Sequence, residues 1–453
     1  MLNVSTNYFI NANKISSINS NPKQAIVASS NRYVSFKAIT YSANPVIRTQ
    51  MITKEEQEKY NELSAVLDIN YKNKLNFALK SGKLLNDVSE DKSTVLDNLY
   101  KIYTTPRAKG LESKMILEQG LDILANPFVI TQTGENVPKE YREYFISEMT
   151  NHSQNKNIRK NAEQFLKEMH MGTCPTASVE FDLATKQPAE FFRIVEGLTS
   201  PNVSVRKVID NNALSDKTTD VLYLLNVFKT PHKNIDWNKT EVLLKPDKYA
   251  ITRARMQTKH QDKGERSIID ILMQSTMMQL GSQQTYNSLI DKRATNDWTQ
   301  DDGGLINFEK TYVESVMENK LTTCVDYQIT DENFKLVKRT KPLEEIKRDI
   351  MDSLKMGYNV IIGYTWEDEE GRRKDGHEIT IVGTKTDKNG ETLFICQDSD
   401  DEFDKPIVMT ESFLIPNLHH AGLPDEIASR DNKEVDPWET ALDEFNQNKK
   451  KNS

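Results

Sequence analysis

The chain has 453 residues, of which 28% are charged and 37% apolar, and a formal net charge of −8. Such a length exceeds one small module and allows a sizeable core in two or three domains. The acidic balance disfavours nucleic acid and anionic membrane as partners, because both require a basic footprint, and no apolar run approaches the length that crosses a bilayer. Three widely spaced cysteines, Cys174, Cys324 and Cys396, make neither a disulfide framework nor a Cys-x-x-Cys metal knuckle. They fit a reducing compartment and one reactive thiol. The first residues lack an apolar run behind basic ones, so the expected location is cytoplasmic, or reached by export without a recognisable N-terminal signal peptide.

Residues 1–50 are rich in Ser, Asn and Lys without a helical period, and a mobile leader is expected there. A helical region is expected over 51–160. Thr53 stands before Glu55 and Glu56 as an N-cap before an acidic first turn, and Leu63, Val66 and Leu67 recur at helical spacing. Further helices are expected over 71–85, 93–103, 109–124 and 139–151, with breaks near Pro106 and Pro127. Two roles suit this region: a bundle packed on the rest of the chain, or an inhibitory prosegment over an active site. Another helix, over 157–169, delivers the chain to Met171-Gly172-Thr173-Cys174-Pro175. Pro175 suits the first position of a helix, where a missing N–H costs nothing. Cys174 then falls at the N-cap of a helix that buries Val179, Phe181 and Leu183. A thiol at that place has its anion stabilised by the helix dipole and by unpaired amides, and the Cys174 amide is free to hold an oxyanion.

Residues 186–310 mix helix signals with loops. Gly264 to Lys292 reads as a long apolar helix in which Met277 and Met278 fill the core. The turn Asp301-Asp302-Gly303-Gly304 lacks the spaced ligands of an EF-hand. A strand is expected over Thr322–Gln328, an amphipathic helix over Pro342–Met356 ending at Gly357, and a buried strand over Asn359–Trp366. The charged stretch Glu367 to Lys374 is a solvated hairpin tip. Strands over Glu378–Val382 and Leu393–Cys396, joined through Lys388-Asn389-Gly390, then place His377 at the mouth of one and Asp398 at the end of the other. An imidazole and a carboxylate on neighbouring strands meet side by side although 398 − 377 = 21 residues separate them. A general base acquires its orienting partner in this way. Asp400 is the rival for the third role. One more strand is expected over Pro406–Leu414, His419 to Pro424 closes the folded part, and 429–453 is a loose polar tail. The pair His419-His420 has no carboxylate at ligand spacing in sequence, so no metal site is read there.

Taken together, Gly172-x-Cys174 opening a helix with Ser178 on it, Gly376-His377 followed by Ile379-Thr380-Ile381-Val382-Gly383, and Phe394-Ile395-Cys396-Gln397 running into Asp398-Ser399 resemble the papain-like cysteine peptidases, including their bacterial branches with Asp as third member. The likeness spans roughly residues 165–425. It implies an α+β protein with a helix lobe and an antiparallel β lobe over 161–428, preceded by the helical N-terminal region. It also implies Cys174 as nucleophile, His377 as base and then acid, Asp398 as orienter, a protein or peptide substrate, and no metal or organic cofactor. Pro175 and Thr176 replace the Trp-bearing context of the plant-type signature, and Glu168 stands where the oxyanion glutamine is usual, with Gln164 or His170 as substitutes. The interval 377 − 174 = 203 exceeds the ~130 to 150 residues of that signature, so a helical insertion is expected around 188–319. Two alternatives remain: a transglutaminase-like acyl transferase or amidase, which uses the same order of residues, and a papain-like interaction protein whose chemistry has lapsed.

Overall fold

The computed structural model describes residues 47–134, 146–147, 172–215, 218–257, 264–289, 291–293, 304–400 and 404–430. The expected leader, nearly all of the helices over 139–151 and 157–169, the turn at 301–303 and most of the polar tail lie outside these residues. Gln164 and His170 lie outside them too.

Short polar side chains set the helix starts. Thr53 and Glu56 cap each other's backbone at the head of α1 (Lys54–Val66), and Asp68 caps α2 (Ile69–Lys80). Thr94 and Asp97 form a second capping box before α3 (Val95–Thr104), which is followed by α4 (Ser113–Ala125). Helices α5 (Cys174–Lys186) and α6 (Pro188–Thr199) come next. Where the sequence suggests helices and loops, the chain forms a three-stranded antiparallel sheet of β1 (Val205–Asp210), β2 (His232–Asn234) and β3 (Lys239–Leu244), with β3 central and α7 (Thr218–Val227) between β1 and β2 in sequence. Helix α8 (Ala250–Gln257) precedes α9 (Ile268–Gly281), which begins on a Ser267–Asp270 capping box and ends earlier than expected, at the ribbon of β4 (Tyr286–Asn287) and β5 (Lys292–Arg293). Helix α10 (Asn307–Glu318) leads into the large sheet.

That sheet is antiparallel throughout. Its strands are β6 (Thr322–Asp326), β9 (Val360–Glu367), β10 (Arg373–Thr386), β11 (Thr392–Gln397), β12 (Ile407–Thr410) and β13 (Leu418–Pro424), in the order β12-β11-β10-β9-β13-β6. Strands β7 (Gln328–Thr330) and β8 (Leu336–Arg339) form a side ribbon, followed by α11 (Leu343–Lys355). Gly357 sits at φ +89° just past α11, a left-handed stop that glycine adopts without steric cost. Helices α12 (Glu411–Asn417) and α13 (Asp425–Ala428) flank β13.

The sheet is buried on both faces, and the sequence of β9 reflects it. Val360, Ile362 and Tyr364 join Ile346, Ile350, Leu414 and Ile427 on one side, whereas Ile361 joins the core of helices α1–α10 on the other. A strand covered on both sides reads as a continuous apolar run rather than an alternating one. The helical core is a single cluster from Leu63 to Met317, joined by Ile361, so the N-terminal helices share it with α5, α9 and α10. The mixed α+β class expected from sequence is what the chain forms. Two local expectations need correction. The segment Pro406–Leu414 is a short strand and then a helix, because Thr410 caps Phe413 and turns the chain. The segment from His419 to Pro424, read as the end of the folded part, belongs to an inner strand of the sheet with every residue buried.

Candidate active site

Helix α5 is buried from Cys174 to Leu183 and packs against α9, α10 and β10. Cys174 is its first residue and Thr173 its N-cap, so the helix starts one position earlier than the sequence suggests, with Pro175 in the first turn. The N–H groups of Cys174 and Thr176 precede the point where a helix has carbonyls to pair with them, and Pro175 has none. Donors and dipole therefore converge on the Cys174 thiol. Ser178 lies one turn further along the same face.

Strand β10 runs from Arg373, so His377 stands inside it rather than at its mouth. A register shift between Lys374 and His377 breaks the pairing with β9, after which His377 pairs with Tyr364. Its ring packs edge-on to the Tyr364 ring, with centroids 6.0 Å apart. A bulge of this kind re-aims the side chains that follow it. Beyond β11 the chain turns, and Asp398 Oδ1 meets His377 Nε2 at 2.7 Å. The imidazole therefore has Nδ1 for its other neighbour, and the Cys174 thiol is within hydrogen-bonding reach. Burial opposes charge on His377, but the charge and hydrogen bond of Asp398, together with Cys174, outweigh it and hold the pKa well above the usual histidine value. The side chain of His377 is 15% exposed and that of Asp398 3%. Burial instead dominates at Cys396 and Cys324 and pushes both thiols up.

The structure thus brings Cys174, His377 and Asp398 together. Asp400, the rival, contributes its backbone N–H to Asp398 Oδ1 at 2.9 Å.

A strap that sequence reasoning missed fixes the Asp398 turn. After α4 the chain meets residues 397–400 and Asp404: Gln397 Nε2 donates to Ile130 O at 3.2 Å, Thr131 Oγ1 donates to Ser399 O at 2.7 Å, and the Gln132 N–H donates to the same carbonyl at 3.0 Å. Asn126 Nδ2 donates to Asp404 O at 2.9 Å. On the other side, Gln274 of α9 donates both to Thr131 O at 2.9 Å and to Glu180 Oε2 of α5 at 3.0 Å. The strap therefore links α5 to the turn carrying the Asp398 carboxylate. Gln132 is 5% exposed, and its side-chain oxygen is buried without a hydrogen bond. The sequence signal for it was thin, a lone Gln between two threonines after Pro127.

His419 and His420 gain the carboxylates that the linear sequence withholds. Asp326 lies opposite His420 across β6 and β13, and Glu378 Oε1 meets His420 Nε2 at 2.5 Å. Burial, helped by the neighbouring His420, drives the His419 pKa down to about 3. Glu378 is held at about 2: burial would raise it, but His420 and Lys310 prevail.

No protein-family model matches the chain, and no curated protein matches it in sequence. Among the described residues no helix is long and apolar enough to cross a membrane.

Proposed function

We propose that this protein is a cysteine-type hydrolase of papain-like architecture, acting on peptide or isopeptide bonds through Cys174, His377 and Asp398. The observation that carries the reading is the His377 imidazole held between the Asp398 carboxylate, at 2.7 Å, and the thiol at the head of α5. Asp398 fixes the ring by accepting from Nε2, which directs Nδ1 at the thiol. The raised imidazole pKa equips His377 to hold the proton it takes from the thiol. The thiolate attacks the amide carbonyl, and the Cys174 N–H at the head of α5 holds the oxyanion. His377 returns its proton to the leaving amine, then activates the water that releases the acyl group. Every proton in the cycle passes through the imidazole.

The test is alkylation by iodoacetamide at about pH 6, where an ordinary thiol is almost fully protonated. Selective labelling of Cys174 that disappears in His377→Ala is expected, together with hydrolysis of a fluorogenic peptide library that disappears in Cys174→Ala. Equal, slow labelling of all three thiols defeats the reading.

A further inference from the structure

A second constellation sits beside the first and uses none of its groups. Gly363 of β9 pairs with Glu378 on one side and His420 on the other, and His420 pairs with Asp326. Asp326, His420, Gly363 and Glu378 therefore form one row across four strands, and residues in such a row share a face. A Cβ on Gly363 would lie 2.2 Å from His420 Cε1. The imidazole lies flat over the glycine for this reason, and it reaches Glu378 through Nε2. The pairing of β13 with β9 shifts register between Leu418 and His420, so His419 occupies a bulge and does not alternate away from its neighbour. Its Nδ1 lies 2.8 Å from His420 Nδ1. One donor atom each from Asp326, His419 and His420 falls within 4.8 Å of the others. The two histidines are 6% exposed, whereas Asp326 is exposed, so the cluster has a wet side and a dry side.

We propose that Asp326, His419 and His420 form a binding site for one divalent transition-metal ion of borderline softness, of which Zn²⁺ is the representative. The donor set is two imidazoles and one carboxylate, with the exposed side left for water. This composition suits Zn²⁺ and its neighbours, whereas Mg²⁺ and Ca²⁺ favour oxygen-only shells. Glu378 supplies what a metal-bound histidine requires from behind, a carboxylate on the far ring nitrogen that fixes the tautomer and leaves Nδ1 as a lone pair. The 2.8 Å between the two Nδ1 atoms is the span of a shared proton. An ion at about 2.0–2.1 Å from each nitrogen spreads a tetrahedral pair to roughly 3.4 Å. Binding thus replaces the hydrogen bond between the two rings and opens them by about half an ångström. The ammonium of Lys310 faces Glu378 and Glu314 before Asp326, and Asp326 Oδ1 accepts from Asn307 Nδ2, so the second carboxylate oxygen is the one offered to the ion.

The experiment uses the full chain after chelator treatment, titrated with Zn²⁺ by calorimetry and with Co²⁺ by visible absorption. One ion per chain and the d–d bands of a low-symmetry, imidazole-bound Co²⁺ are expected. Asp326→Asn, an exposed change that leaves the core intact, and His419→Gln should each weaken binding by about 100-fold or more, and Glu378→Gln by about 10–100-fold. Thermal melting identifies any variant that fails to fold, in which case Asp326→Asn decides. Failure to reach saturation at millimolar Zn²⁺, or undiminished binding in folded Asp326→Asn, overturns the assignment. Alkylation of Cys174 is measured in parallel, so that loss of the metal site and loss of the proposed hydrolase site are separate results.

Discussion

Strand β10 carries two consecutive residues, His377 and Glu378, that each enter a histidine–carboxylate pair, one 2.7 Å long and the other 2.5 Å. The pairs are alike in chemistry and opposite in setting. His377 is the histidine of the first pair, 15% exposed, with a thiol as its third neighbour, and its pKa rises. Glu378 is the carboxylate of the second, on a row where the third neighbour is another imidazole, and there His419 is driven down to about 3. A histidine–carboxylate contact by itself therefore does not define a function. The third group differs between them: a thiol beside His377 and a second imidazole beside His420.

Four changes break or sharpen this contrast, in descending order of effect. Cys174→Ala removes the proposed nucleophile and is expected to lower the turnover of a cleaved peptide by on the order of 10⁶, read in steady-state kinetics, while leaving Zn²⁺ binding unchanged. Retained hydrolysis would place the chemistry elsewhere. Asp398→Asn leaves the ring in contact but removes the charge that fixes its tautomer, and a loss approaching about 10⁴ in turnover is expected. A loss of only a few-fold would reduce Asp398 to a structural bond.

Gly363→Ala addresses the other pair. The added Cβ meets His420 Cε1 at 2.2 Å, so the imidazole must leave Glu378 or the strands must part. Overpacking of this kind costs about 1–3 kcal/mol. A lower melting temperature is expected, with Cys174 still alkylated in the folded fraction; an unchanged melting temperature would show that His420 moves aside freely.

The smallest effect is a displacement in pH. Because the folded pKa of His377 is raised, the stabilisation from its pairing is complete below the unfolded value of about 6.5 and is lost as pH rises through the folded value. The alkaline limb of kcat/KM should therefore lie well above 6.5, and the residual activity of Asp398→Asn should show that limb at lower pH. A limb at the same pH in both proteins would assign it to another group.

Much of the first site was legible because its signals are local. The Gly172-Thr173-Cys174-Pro175 run announces a helix start one residue from the true one, and the Gly357 stop follows from the backbone freedom of glycine. The alternation after His377 and the Lys388-Asn389-Gly390 turn are enough to pair the hairpin that brings His377 to Asp398. The second site was not legible. Leu418 to Pro424 carries two histidines, a glycine and a proline without alternation, and nothing in it announces an inner strand. Its carboxylates come from β6 and β10, and its crossing depends on a glycine in β9. Nor do Ile130 and Thr131 advertise that they hold a turn some 270 residues later, with separations of 267 and 268 in the two side-chain bonds.

By itself, then, the sequence determined where helices begin, which strand is apolar enough to be covered on both faces, and which thiol stands at the head of a helix. Those features rest on interactions within a few residues: caps, turns and side-chain period. Tertiary structure alone decided that β13 enters between β6 and β9, that a bulge turns His419 back toward His420, and that the segment after α4 binds the Asp398 turn. Strand order and register depend on which buried faces fit together, and that selection is made by the whole core at once.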